Sequence, residues 1–383
     1  MKLNYKYAMF STSNFALVTH SDGMFTRQSA STNGTNDDLQ SDLIAFLSVV
    51  QKYNVDYLPI TWQAALSNLG EGGSGTVSQS TFNADMPLAF KRFHDPDGDV
   101  SDKYFLPLIS EVLILSQPAI RNHPHIVNLE GICWEIKPRT EKAVPVLVFE
   151  KAVWDLQQYM KLREGINMSI VDRLKICAEI GSAIKALHAY GMSFHIRFIL
   201  SKSNMDTDVI HGDIKPQNVL VFKNATGKTT IKMADFGYST LAAGGTGEVF
   251  LPKSTPWNAP EHHWEGFKVP DAKKTDVYSF GLLCLWVLFG TSLRDIPQTT
   301  AEGATELLSS NTPLGPSSFL ERLNGEGEGE MQRVAEELVH TVPGLDAEHK
   351  VCLKEFFNLT VVHNPDHRTS DINKLLDLLL QEP

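Results

Sequence analysis

Four short stretches of this sequence carry side chains suited to handling a phosphate group. In HGDIKPQN, Asp213 could accept or orient the proton of a hydroxyl nucleophile, and Lys215 could neutralise charge on a transferring phosphoryl group. Asn218, in the same run, offers an amide oxygen to a divalent metal. In ADFG, Asp235 follows the strand-like TTIKM and supplies a hard carboxylate of the kind that holds Mg²⁺. In LAFK, Lys91 ends a strand-like run, and Glu111 comes 20 residues later in ISEVLILSQ, where a helix could bring its carboxylate to the ammonium. In LGEGGSGTV, Gly70, Gly72 and Gly75 lack Cβ atoms, so the backbone can turn tightly and present N–H groups to phosphate oxygens. Singly, each has a structural explanation: a turn, a solvated lysine, a surface glutamate. Together and in their chain order, glycine-rich stretch, Lys91 with Glu111, Asp213 and Asp235, the four point to phosphoryl chemistry on a nucleotide.

These residues need elements to hold them. ALSNLGEGG, GTVSQSTF, PLAFKRF, IVNLEGICWEI and VPVLVFEKA are short β-branched or aromatic runs bounded by Gly, Pro or polar residues, and read as strands. One helical stretch, FLPLISEVLILSQPAI, interrupts them. After Trp154 the pattern turns helical, with Ile170, Leu174, Cys177, Ile180, Ile184 and Leu187 on one face of SIVDRLKICAEIGSAIKALHAY. The class is therefore α+β in two lobes, β-rich with one helix first, helical second. Upstream, SDLIAFLSVVQKY puts Leu43, Ile44, Phe46, Leu47 and Val50 on one face of a short helix that should dock on the downstream chain. Residues 1–37, rich in Ser, Thr and Asn, read as a disordered segment, and 38–62 as an N-terminal extension carrying that helix. KNATGKTT contains GKT without the spaced glycine of a phosphate-binding loop and reads as a hairpin turn.

Composition narrows the setting. With 42% apolar and 21% charged residues, the 383-residue chain can bury a sizeable core. A net charge of −11 without any dense Lys/Arg run argues against nucleic acid or an anionic membrane as partner. The four cysteines are widely separated and read as buried reduced thiols. The apolar run DVYSFGLLCLWVLFG contains a charge and is too short to span a bilayer, and no secretory leader is visible. Composition points to a cytoplasmic or nuclear protein.

Over residues 63–380 the chain resembles the eukaryotic protein kinases of Ser/Thr type. The resemblance divides it into an N-lobe, 63–152, and a C-lobe, 153–380. It implies a two-lobed kinase fold that uses ATP and Mg²⁺ to phosphorylate Ser/Thr hydroxyls of protein substrates, and it leaves the oligomeric state open. By the same resemblance, Lys91, Glu111, Asp213 and Lys215 are catalytic, and Asn218 and Asp235 hold metal. ATP would be bound by Leu69, Gly70, Gly72, Gly73, Gly75, Val77, Ala89, Lys91, Phe149, Glu150, Ala152 and Leu220, with hinge backbone reading the adenine edge. Leu115, Leu129, His211 and Phe236 would stack through the core. Asp276 would hold the catalytic-loop backbone, and Arg368 would pair with Glu261 of Ala259-Pro260-Glu261. Thr255 matches the threonine that bonds the catalytic aspartate and lysine. LPITWQ, Leu58 to Gln63, is similar to a stretch in filamentous-fungal kinases.

Two departures stand out. Where the family has His-Arg-Asp, this chain has His211-Gly212-Asp213. A phosphate on Ser239, Thr240, Thr246 or Ser254 would find no arginine there, so turnover should not depend on activation-segment phosphorylation. His-Gly-Asp also occurs in small-molecule phosphotransferases, a minor alternative. The second departure is MSFHIRFILSKSNMDTD between Gly191 and Val209, where the family reaches the catalytic loop within a few residues. Residues 192–208 are either a true surface insertion or a retained intron translated in frame. Phe194, Ile196, Phe198, Ile199 and Leu200 are unlike a loop, and excising roughly fifty nucleotides, with the junction inside the codons of Gly191 and Asp208, would join the flanks as HAYDVIHGD. Such an insertion also raises the alternative of a catalytically impaired kinase-fold scaffold.

Overall fold

The structure, a computed structural model, describes residues 42–62, 68–71, 75–80, 87–93, 102–136, 142–189, 209–237, 239–241, 251–263, 267, 269–290, 320 and 329–380. The expected disordered segment 1–37 and the insertion 192–208 lie outside them.

The chain begins with α1 (Leu43–Lys52), capped by Asp42, whose carboxylate accepts from Ala45 N at 2.8 Å. Six strands form one sheet: β1 (Tyr57–Trp62), β2 (Asn68–Glu71), β3 (Gly75–Ser80), β4 (Leu88–Phe93), β5 (Leu129–Ile136) and β6 (Ala143–Glu150). Their order is β1-β5-β6-β4-β3-β2. All neighbours are antiparallel except β1, which runs parallel to β5 at the edge. Between β4 and β5 come α2 (Asp102–Leu115) and the single turn α3 (Pro118–Arg121). All five expected strands and the interrupting helix are present. β1 was not among the strands read from sequence, because Pro59 within YLPITW cannot donate to a ladder, and an edge strand tolerates this.

The upstream helix docks through Phe46, Leu47 and Val50 of the expected face, with Val49 added and Leu43 and Ile44 left out. Phe46, Val49 and Val50 are buried, whereas Leu43 and Ile44 are exposed, at 37% and 66%. The i, i+3, i+4 stripe that meets α2 runs through Val49, and Ile44 falls on the outer side.

The second lobe starts with β7 (Trp154–Asp155), α4 (Leu156–Tyr159) and α5 (Arg163–Ile166), followed by the long α6 (Ile170–His188). The strands β8 (Val209–Ile210), β9 (Val219–Lys223), β10 (Thr229–Met233) and β11 (Thr240–Leu241) form two small sheets, β10-β9-β7 and β11-β8. KNATGKTT is the β9–β10 turn, where Asn224 Oδ1 accepts from Thr226 N at 3.0 Å and Lys228 N at 2.8 Å. The helices α7 (Val269–Phe289), α8 (Glu330–Thr341), α9 (Ala347–Thr360) and α10 (Ile372–Leu379) complete the lobe. From Thr275 to Phe289 every residue of α7 is buried, as befits a helix apolar on all sides. All four cysteines are free and buried, as expected. Among the described residues no helix is long and apolar enough to cross a membrane.

Candidate active site

Lys91 lies on β4 with its side chain toward α2. Its Nζ donates to Glu111 Oε2 at 2.6 Å and to Asp235 Oδ1 at 2.7 Å. Lys91 and Glu111 are 5% and 1% exposed, so this contact excludes water. Burial alone would lower the lysine pKa, but the Asp235 and Glu111 carboxylates outweigh it and hold the ammonium above the usual lysine range. Asp235 has φ +66°, a costly conformation for an aspartate that turns the chain just after β10. Its neighbour Phe236 is buried with its ring 5.2 Å from that of His211.

Asn218 and Asp235 are brought together by the β9–β10 ladder, because Met233 pairs with Val219 and Ala234 N donates to Asn218 O at 2.9 Å. Asn218 Nδ2 then donates to Asp213 O at 2.8 Å and to Asp213 Oδ2 at 3.0 Å. Lys215 Nζ sits 2.7 Å from Asp213 Oδ2. The sequence-predicted groups therefore form two linked sets: Glu111–Lys91–Asp235, and Asn218–Asp213–Lys215.

The loop carrying Asp213 hangs from α7. Asp276 Oδ2 accepts from His211 N at 2.8 Å and meets His188 Nε2 at 2.9 Å, while Oδ1 accepts from Gly212 N at 2.8 Å. Burial pushes the Asp276 carboxyl up, but hydrogen bonds from His188 and Gly212 and the nearby His211 ring reverse the shift, so its pKa is lowered. Gly212 has φ +74°, and a Cβ there would lie 2.9 Å from Leu251 Cδ2. Leu251 and Pro252 of the following segment thus occupy the space that a side chain at 212 would need.

The expectation for Thr255 is corrected. Ser254, not Thr255, bonds the aspartate and the lysine: its Oγ donates to Asp213 Oδ1 at 2.6 Å and accepts from Lys215 Nζ at 3.1 Å. Asn258 Oδ1 accepts from Ser254 N at 2.6 Å and fixes this turn, leaving Thr255 exposed.

On the opposite wall, β2 and β3 pair as a hairpin, Gly70 with Val77 and Glu71 with Thr76, so Leu69, Gly70 and Gly75 flank its tip. Gly72 and Gly73 lie outside the described residues. Ala89 is buried beside Phe149, its partner across β4 and β6, and Val77 and Leu220 are partly buried against the same core. Glu150 at the end of β6 has its carboxylate engaged by Lys232 Nζ at 2.6 Å and Asn128 N at 2.8 Å. Both contacts are made by Oε1, and Glu150 N donates to Asn128 O at 3.4 Å.

The oxygen donors fit a hard cation. Asp235 offers a carboxylate, and Asn218, with its amide nitrogen spent on Asp213, offers the carboxamide oxygen. No cluster of three or more His, Cys, Asp or Glu able to cage a metal occurs among the described residues. A pair of oxygens suits Mg²⁺, which usually takes one or two protein ligands and completes its shell with water and phosphate.

Further from the cleft, Arg368 forms a bidentate pair with Glu261, at 2.6 Å and 3.1 Å. This ties the segment after Ser254 to the C-terminal helices, as the resemblance implies.

Residues 64–314 match the family described as protein kinase domain. Among curated proteins, the chain is 28% identical over 236 residues to wall-associated receptor kinase-like 14 of Arabidopsis thaliana, covering 61% of this chain and 29% of that protein. It is 26% identical over 230 residues to calmodulin-binding receptor-like cytoplasmic kinase 1 of the same plant, covering 59% and 43%. It is 30% identical over 231 residues to wall-associated receptor kinase 1, also from Arabidopsis thaliana, covering 58% and 26%. The matches thus span less than half the length of these relatives.

Proposed function

The chain belongs to the protein kinase domain family, and from that premise we propose that it transfers the γ-phosphoryl group of ATP, with Mg²⁺, to Ser or Thr hydroxyls of protein substrates. The observation that carries this reading is the pair of polar sets: a charged lysine held by two carboxylates, and an aspartate that shares Asn218, Lys215 and Ser254. In it, Lys91, oriented by Glu111, grips the α and β phosphates. Asp213 orients the attacking hydroxyl and takes its proton, and Lys215 steadies charge on the group in flight. Asp235 and Asn218 would hold Mg²⁺, which when bound would neutralise negative charge on the phosphates. Backbone N–H groups of the β2–β3 hairpin cover the phosphates, and Val77, Ala89 and Leu220 enclose the adenine. Such a site works by positioning and fixed charge. Selectivity for Ser and Thr is supported by Lys215 and Ser254, both bonded to Asp213. The test is Mg²⁺-dependent transfer of γ-phosphate from ATP to a Ser/Thr-containing protein or peptide library, with phosphoamino-acid analysis. Absence of transfer, or transfer to tyrosine alone, refutes the reading.

Ser254 supports Asp213 directly. Ser254→Ala is expected to lower kcat by about tenfold, the scale of one hydrogen bond to a charged group, with little change in the KM for ATP. Steady-state kinetics on the purified variant checks this.

Gly212 bears on regulation. Leu251 covers the backbone at the position where an arginine would have met a phosphate, and Ser254 is already bonded to Asp213. Phosphatase treatment of purified active protein is therefore expected to leave turnover unchanged. A loss of turnover that rephosphorylation restores would oppose this.

A further inference from the structure

The family match begins at residue 64, yet α1 and β1 precede it and are built into the first lobe. Phe46, Val49 and Val50 of α1 are buried in the same core as Tyr104, Phe105 and Leu108 of α2. The rings of Phe46 and Phe105 are 6.3 Å apart, and Phe105 meets Tyr104 edge to face at 5.3 Å. After α1 the chain turns at Asn54, with φ +49°, and Asp56 O accepts from Ile132 N at 2.9 Å to start the pairing of β1 with β5. Gly131 makes room for this, since a Cβ there would lie 2.5 Å from Asp56 O. The segment thus bridges the edge of the sheet and α2.

That matters because α2 carries Glu111. Just after the span that packs on α1, the helix has two polar ties from adjacent residues: Ser110 Oγ to Ser239 O at 2.9 Å, and Glu111 to Lys91 on β4 at 2.6 Å. The apolar seat supplied by α1 anchors it independently of both. A helix that moved away by about an ångström or more would stretch the 2.6 Å contact beyond hydrogen-bond length.

We propose that residues 42–62 are a built-in clamp on α2, and that Phe46 is a positioning residue acting through Glu111 on Lys91. The kinetic consequence rests on the kinase reading above; the structural one does not. The test uses the full chain with Phe46→Ala, with the conservative Phe46→Leu, and with Gly131→Val, which attacks the joint from β5. In Phe46→Ala and Gly131→Val, amides of α2 are expected to exchange with solvent about tenfold faster while those of α6 and α7 keep their protection. Phe46→Ala is expected to lower kcat about tenfold, Phe46→Leu to recover most of it, and the loss to shrink below about twofold in a Glu111→Gln background. Unchanged exchange in α2, or acceleration spread evenly through α6 and α7, overturns the clamp. Equal losses with and without Glu111 overturn the action through Lys91. Faster α2 exchange in a chain that transfers no phosphate at all upholds the clamp and refutes the kinase reading instead.

Discussion

Asp213→Asn is expected to cut turnover by about 10²- to 10⁴-fold, the usual scale for removing a general base, while ATP binding stays roughly unchanged. The geometry explains why the loss should be chemical. Asp213 Oδ1 accepts from Ser254 Oγ at 2.6 Å, and Oδ2 accepts from Lys215 Nζ at 2.7 Å and Asn218 Nδ2 at 3.0 Å. An asparagine can keep its oxygen toward Lys215 and Asn218 and turn its amide toward Ser254, whose hydroxyl can accept. The fold and the neighbours therefore survive, but no group remains to take a proton from the substrate hydroxyl. ATP should still bind, because Lys91 and the β2–β3 hairpin are untouched. Kinetics paired with calorimetric ATP titration measures both halves; a variant that turns over at the parental rate would remove Asp213 from its role.

Arg368→Met is expected to be strongly destabilising, costing about 3–5 kcal/mol as a broken buried ion pair. The Arg368 side chain is fully buried, and beyond its pairing with Glu261 it donates to Lys274 O at 2.9 Å, Val362 O at 2.8 Å and His363 O at 3.2 Å. Its guanidinium also lies 4.8 Å from the centre of the Tyr278 ring. Methionine fills much of the volume but strands a carboxylate that is 3% exposed, together with those carbonyls. Thermal melting should drop by on the order of 10 °C. Adding Glu261→Gln, which removes the unpaired charge, should recover part of the loss. A single variant melting within a degree or two of the parent would show that the pair contributes little.

Much of the site was legible because each group sits in a short motif whose neighbours fix it locally. Asp213, Lys215 and Asn218 lie within six residues and are oriented by one loop, and Asp235 follows a strand that pairs with the strand after Asn218. Lys91 and Glu111 required only that one helix cover one sheet. What escaped depended on register or on distant pairing. Ser254 and Thr255 are adjacent hydroxyl residues, and only the turn held by Asn258 decides which faces Asp213. The parallel pairing of β1 with β5 joins segments some seventy residues apart in sequence, for which no local pattern exists. The burial of Phe46 with Val49, in place of Ile44, depends on the angle at which α1 meets α2.

Asp276 Oδ2 has a consequence for the stretch of sequence just before the catalytic loop. The residue where α6 ends, His188, and the residue that opens the loop, His211, both moor to that single oxygen, at 2.9 Å and 2.8 Å. Departure and return are thus pinned side by side, and the length of polypeptide strung between them is a free variable at little entropic expense. A transcript lacking the codons for this stretch and one retaining them would both encode His188, His211 and the Asp276 that moors them.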